Sequence, residues 1–178
     1  GFVEILGKNT NSVYRFNVSV NDGFRDNGKS LWVSDYAGSS ARIRSQGNYI
    51  YNNTIYADAA ITPDISIVSF DTYVYNNVFY AIGAAQIGGE VTIDIDAGSE
   101  LFSSNNLYFG NVTKLLSNLD SSPVFGDPGF EDPGSTDVDG YRITETSLAY
   151  GAGINFQEPG FPNAGKGIFK DVKMYPRS

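Results

Sequence analysis

Apolar residues along this chain come in short runs, mostly three to six positions long and rich in Val, Ile, Tyr and Phe, separated by Asn, Gly, Asp and Ser. Runs of that length and composition read as β-strands bounded by turns. Strands are expected at Phe2–Leu6, Leu31–Val33, Ala41–Arg44, Ile65–Phe70 and Val91–Ile95, and a short helix within Val112–Leu119.

Three further segments align without gaps: Tyr49–Tyr56, Tyr73–Tyr80 and Phe102–Phe109. Each carries Asn-Asn at its centre, and Tyr14–Val20 matches them with one Asn fewer. The equivalent residues are Asn17, Asn53, Asn77 and Asn106, spaced 36, 24 and 29 apart. One unit of strand, Asn bend and strand cannot bury its apolar side alone, but stacked units can, each pairing edge to edge with the next. A spacing of 24 suits one coil of a parallel β-helix, and the larger spacings suit coils with longer loops. The four Asn residues would then form a ladder at one corner, because Asn tolerates the left-handed conformation and its amide can bond to amides above and below. Three columns follow the bend: Val18, Thr54, Val78 and Leu107; Ser19, Ile55, Phe79 and Tyr108; Val20, Tyr56, Tyr80 and Phe109. All are largely apolar, so alternation does not decide which face is inward. The alternative is a β-sandwich with Asn hairpin turns. The register kept across the segments favours an all-β solenoid, a right-handed parallel β-helix of about four or five coils.

The coils are expected to span residues 1–110. The remainder, 111–178, holds six of the seven prolines and is expected to be an irregular tail packed on the coils through Val124, Phe125, Phe130 and Tyr141. The chain opens at Gly1 inside a strand pattern and stops at Ser178 without a closing element, so the expectation is a single domain cut from a longer protein, partnered by upstream coils and prone to self-association at the open edge of Phe2–Leu6.

Composition narrows the chemistry. The 178 residues include no His and no Cys, which removes His-based triads, imidazole acid–base work, thiolate nucleophiles and Cys-based zinc sites. The net charge of −8 argues against a nucleic-acid partner. No apolar run approaches the length of a membrane-spanning helix. Sixteen Asn and twenty Gly supply bends, and twelve Tyr supply much of the polar surface.

The Asn-bend units resemble the right-handed parallel β-helix proteins of the pectin-lyase-like superfamily. Tyr14–Gly23 is similar to a recurring "RYN-S-ND-G" stretch in secreted bacterial members. Ser122–Phe130, Asp139–Ile143 and Ala149–Gly153 resemble their C-terminal "DP-F … D-R-L … A-GAG" ending. The resemblance implies secretion and action on, or binding of, a polysaccharide, as a lyase using Lys or Arg as base or as a glycoside hydrolase using carboxylates. Non-catalytic structural, adhesive or carbohydrate-binding scaffolds share the fold, so the fold does not choose among them.

Candidate site residues follow from charge density. Glu4, Lys8, Arg15, Asn17, Asn21, Asp22, Arg25 and Asp26 form the densest polar set, and Glu4, Arg15, Asp22 and Arg25 are the candidate catalytic residues, with Asn21 beside them. Glu4 and Arg15 are expected either to pair on one sheet face or to serve a sugar, Arg holding a uronate carboxylate in its planar fork. Tyr36, Tyr49, Tyr51, Tyr73 and Tyr75 are candidate sugar-stacking residues, or else aromatic stacks within the coils. Trp32 reads as core or platform. Asp94 and Asp96 alternate with Ile93 and Ile95, placing two carboxylates on one strand face, as a catalytic pair, a cation site or a solvated surface. Asp132–Gly140 superficially resembles a calcium loop but lacks its spacing, so Ca²⁺ is a weak expectation, no other cofactor is implied, and a turn into a strand at Tyr141–Ile143 is the alternative.

Overall fold

A computed structural model describes residues 1–25, 28–38, 40–94 and 100–154. The described residues wind as a right-handed parallel β-helix of four coils. The coils are β1 (Val3–Ile5), β2 (Val13–Arg15), β3 (Val18–Val20); β4 (Lys29–Val33), β5 (Asn48–Tyr51), β6 (Thr54–Ala57); β7 (Asp64–Ile67), β8 (Asp71–Tyr75), β9 (Val78–Ala81); and β10 (Val91–Ile93), β11 (Glu100–Ser104), β12 (Leu107–Gly110). Equivalent strands stack into three parallel sheets, β1-β4-β7-β10, β2-β5-β8-β11 and β3-β6-β9-β12, the last extended by β13 (Val124–Phe125). The three columns expected from the repeat pair residue for residue, for example Thr54 with Val78 and Ile55 with Phe79.

Two corrections concern strand limits. Ala41–Arg44 forms no strand: Arg42 makes only an isolated antiparallel bridge to Tyr36 inside the β4–β5 connection. Tyr141–Ile143 is not a strand either, because Val138–Tyr141 closes as a 3-10 turn capped by Asp137, whose side chain accepts the N–H of Asp139. Of the predicted helix, α1 (Lys114–Asn118) forms and buries Leu116 over the fourth coil.

The interior is filled by inward side chains at coil spacing: Val3, Leu31 and Ile65; Ile5, Val33 and Ile67; Ile50 and Val74; Ile55, Phe79 and Tyr108. Phe79 and Tyr108 stack 5.5 Å apart at 5°. The second column therefore faces inward. The third, with Tyr56 and Tyr80 nearly inaccessible, faces outward and is covered by Phe130 and Tyr141 of the tail. Phe125 pairs with the last coil through β13 yet stays largely exposed, so it packs less than expected.

The Asn ladder runs through all four coils. Asn17 N and Nδ2 donate to Asn53 Oδ1 at 3.2 and 3.0 Å. Asn53 does the same to Asn77 at 3.1 and 2.9 Å, and Asn77 to Asn106 at 2.9 and 2.9 Å. Asn106 donates to Asp120 Oδ2, which also accepts the Tyr108 hydroxyl. The left-handed residue is not the ladder Asn but the one before it: Phe16, Asn52, Asn76 and Asn105 have φ of 57°, 53°, 54° and 55°. Their positions bend the chain outward, while the following Asn turns inward and is buried in the later coils. The outward Asn side chains hold the tail, Asn76 exchanging hydrogen bonds with Ile154 and Asn105 donating to Ala152 O.

Candidate functional site

In β1-β4-β7-β10, apolar-x-apolar triplets align, and the middle residues point out of the helix. Glu4 lies beside Trp32, Trp32 beside Ser66, and the same alignment places Thr92 beside Ser66. Glu4 and Thr92 are exposed, whereas Trp32 and Ser66 are half-buried. Trp32 thus stands on the outer face rather than in the core, between a carboxylate and a hydroxyl.

At the entry edge of this sheet the β3–β4, β6–β7 and β9–β10 connections enclose a cleft of about 540 Å³ lined by Phe24, Arg25, Thr62, Asp64, Gly89 and Glu90 among others. Phe24 is 71% exposed. Asp64 is fixed from two sides: its Oδ2 lies 3.6 Å from Lys29 Nζ and its Oδ1 accepts the Glu90 N–H at 2.8 Å. Gly89 keeps this wall open, since a Cβ there would sit 3.0 Å from Thr62 O and 3.4 Å from Asp64 Oδ1. Arg25 and Glu90 are exposed with no ion pair among the described residues.

The structure separates the four charged candidates. Glu4 and Arg15 do not pair, because β1 and β2 belong to different sheets. Arg15 is buried: Nη1 donates to the Tyr51 hydroxyl at 2.9 Å, and its guanidinium lies 5.3 Å from the Phe16 ring and 5.8 Å from the Tyr51 ring. Asp22 accepts from Ser19 Oγ at 2.6 Å, and Asn21 bridges to the next coil, donating to Asp58 and accepting from the N–H groups of Asp58 and Ala59. Only Arg25 enters the cleft. Asp26 and Asp96 lie outside the described residues, and Asp94 pairs with Arg44 at 2.5 Å.

The tyrosines stand on β2-β5-β8-β11. Tyr49 and Tyr73 stack 4.6 Å apart at 4°, and Tyr73 and Phe102 4.8 Å apart at 11°. Burial raises the Tyr49, Tyr73 and Tyr75 hydroxyls above the ordinary phenol value, with nearby Asp71 adding to it for the first two and Tyr73, then Asp120, for the third. Tyr36 stands apart in the β4–β5 connection, where Arg42 lies 5.6 Å from its ring and 3.4 Å from Asp35. In the Asp132–Gly140 loop, which resembles a calcium loop in sequence, Asp139 pairs with Arg142 at 2.8 Å.

Phe24 and Glu90 escaped the sequence reading because they lie on connections of unequal length, where no repeat aligns them, and Lys29 and Asp64 because a register shift after Lys29 separates their pairing from the columns that follow. The outward place of Trp32 was legible: Val3-Glu4-Ile5, Leu31-Trp32-Val33, Ile65-Ser66-Ile67 and Val91-Thr92-Ile93 share one pattern. No model of a known protein family, no curated protein and no solved structure matches the chain.

Proposed function

We propose that this is a secreted carbohydrate-active β-helix protein of the pectin-lyase-like kind that binds an extended polysaccharide across its coils. The observation that carries the reading is the outward row Glu4, Trp32, Ser66 and Thr92, one residue per coil, beside a cleft holding Phe24, Arg25 and Glu90. A chain-like ligand matches a surface that repeats along an axis, aromatic faces cover sugar rings, and the polar neighbours take hydroxyls. Such a face lengthens with every coil stacked on it, so upstream coils are the other partners this reading expects.

Binding is favoured over cleavage because, of the four candidate catalytic residues, only Arg25 lines the cleft. Asp64 is held by Lys29, and Asp22 by Ser19. Cleavage as a lyase or hydrolase is the second reading, resting on Arg25 and Glu90 meeting in one cleft.

Trp32 is the only tryptophan, so its emission reports on the face directly. Titration with neutral and uronate polysaccharides should change that emission with at least one of them, and Trp32→Ala should abolish retardation in an affinity gel. A panel that alters neither emission nor mobility counts against the reading. Release of reducing ends or of unsaturated product would move the conclusion to an enzyme.

A further inference from the structure

The outward row on β1-β4-β7-β10 is uneven in charge. Glu4 is its ionised member, and strand pairing sets it beside Trp32, about 4.8 Å away across the coil step. Glu4 is exposed and Trp32 half-buried, so both are reachable from one side of the sheet. The cations around this sheet are taken: Lys29 pairs with Asp64, Arg42 with Asp35 and Arg44 with Asp94. No cation among the described residues pairs with Glu4. Arg25 lies in the cleft at the entry edge, where Glu90 supplies the opposite charge. Beyond Trp32 the row is neutral, with Ser66 and Thr92 offering hydroxyls.

An exposed carboxylate beside an indole is a seat for an ammonium group. The indole face attracts a cation through its ring quadrupole, more strongly than Tyr or Phe does. The carboxylate accepts the ammonium N–H groups in charge-assisted hydrogen bonds. A uronate ring in the same place would bring a second carboxylate against Glu4, and the net charge of −8 adds to the repulsion. We propose that the sugar stacked on Trp32 is a cationic amino sugar, so that the ligand is a polysaccharide with free amino groups, such as a glucosamine polymer, rather than a polyuronate. The proposal rests on the glycan reading above and narrows it. Trp32 covers the ring, Glu4 takes the ammonium, and Ser66 and Thr92 take hydroxyls of the sugars that follow.

The test titrates four oligomers of equal length into the full chain while Trp32 emission is followed: glucosamine, its N-acetylated form, galacturonate and lysine, at a pH where the amines are protonated. N-acetylation keeps the sugar ring and removes its charge. The glucosamine oligomer should bind at least about tenfold more tightly than the N-acetylated and galacturonate oligomers. Glu4→Gln should remove most of that margin and leave the N-acetylated oligomer within about twofold, since a hydroxyl or amide loses little when Glu becomes Gln. Galacturonate binding as tightly as glucosamine, or equal losses for glucosamine and its N-acetylated form in Glu4→Gln, overturns the proposal and leaves the glycan reading standing. A lysine oligomer that shifts the emission as strongly as glucosamine also overturns it, because general attraction of a polycation then suffices without a sugar seat. No response to any of the three sugars overturns both the proposal and the glycan reading.

Discussion

At the scale of the residue, the Asn-Asn pair divides two duties. The first Asn takes the left-handed backbone, which costs other L-residues about 1–2 kcal/mol, and the second builds the buried ladder. Asn52→Ala should then destabilise by about 1 kcal/mol while Asn52→Gly stays within a few tenths, measured by chemical denaturation. Asn77→Ala should cost about 3 kcal/mol, because it strands the donors of Asn53 and the Ile50 carbonyl in the interior. Asn17→Ala, at the open end, should cost about 1 kcal/mol; equal losses at Asn17 and Asn77 would contradict the ladder account. The pair is visible in the sequence, but both members tolerate positive φ, so the pattern alone does not say which of them makes the bend. The clue was Phe16-Asn17: where only one Asn is kept, it is the second, and Phe16 accepts a strained φ of 57° in its place.

At the scale of the element, position on strand or loop separates the two arginines once grouped together. Arg15 closes β2 and fills space between two rings, so Arg15→Ala should lower stability by about 2 kcal/mol through lost packing and the Tyr51 hydrogen bond. Arg25 sits exposed in a connection, so Arg25→Ala should leave the melting temperature unchanged and weaken polysaccharide binding. A large loss of stability at Arg25, or none at Arg15, would reverse these roles. Register across coils was legible because strand pairing forces equal residues into columns. The cleft was not, because the connections that enclose it differ in length and carry no columns.

At the scale of the whole molecule, the surface is acidic and many of the tyrosines are partly or wholly withdrawn from water. Burial raises Tyr56, Tyr80 and Tyr141 above the ordinary phenol value, with Asp58 beside Tyr56 and Asp127 beside Tyr80 adding to it, while a backbone N–H from Gly134 partly offsets it at Tyr141. Tyr108 is pushed up by burial and by Asp120. For an acid raised in the folded state, stability is intact below the unfolded value, about 10 for tyrosine, and declines as pH climbs from there toward the folded value. The protein should therefore lose stability in alkali above about pH 10. Spectrophotometric titration should show fewer tyrosinates in the folded chain than in urea at the same pH. Matching titration curves in the two states would remove this source of alkaline instability.

The one-way donation of the ladder also makes it a column of aligned dipoles. Every amide turns its positive end toward the last coil, much as peptide units do in an α-helix, and there the column meets a buried carboxylate, Asp120. That residue is the counter-charge of the whole row as well as its final acceptor. Asp120→Asn keeps an oxygen in place and removes the charge, and should still cost about 1.5–3 kcal/mol, the range for hydrogen bonds to ionised groups. Because the carboxylate is shielded from ions in solution, that loss should change little between low and high salt.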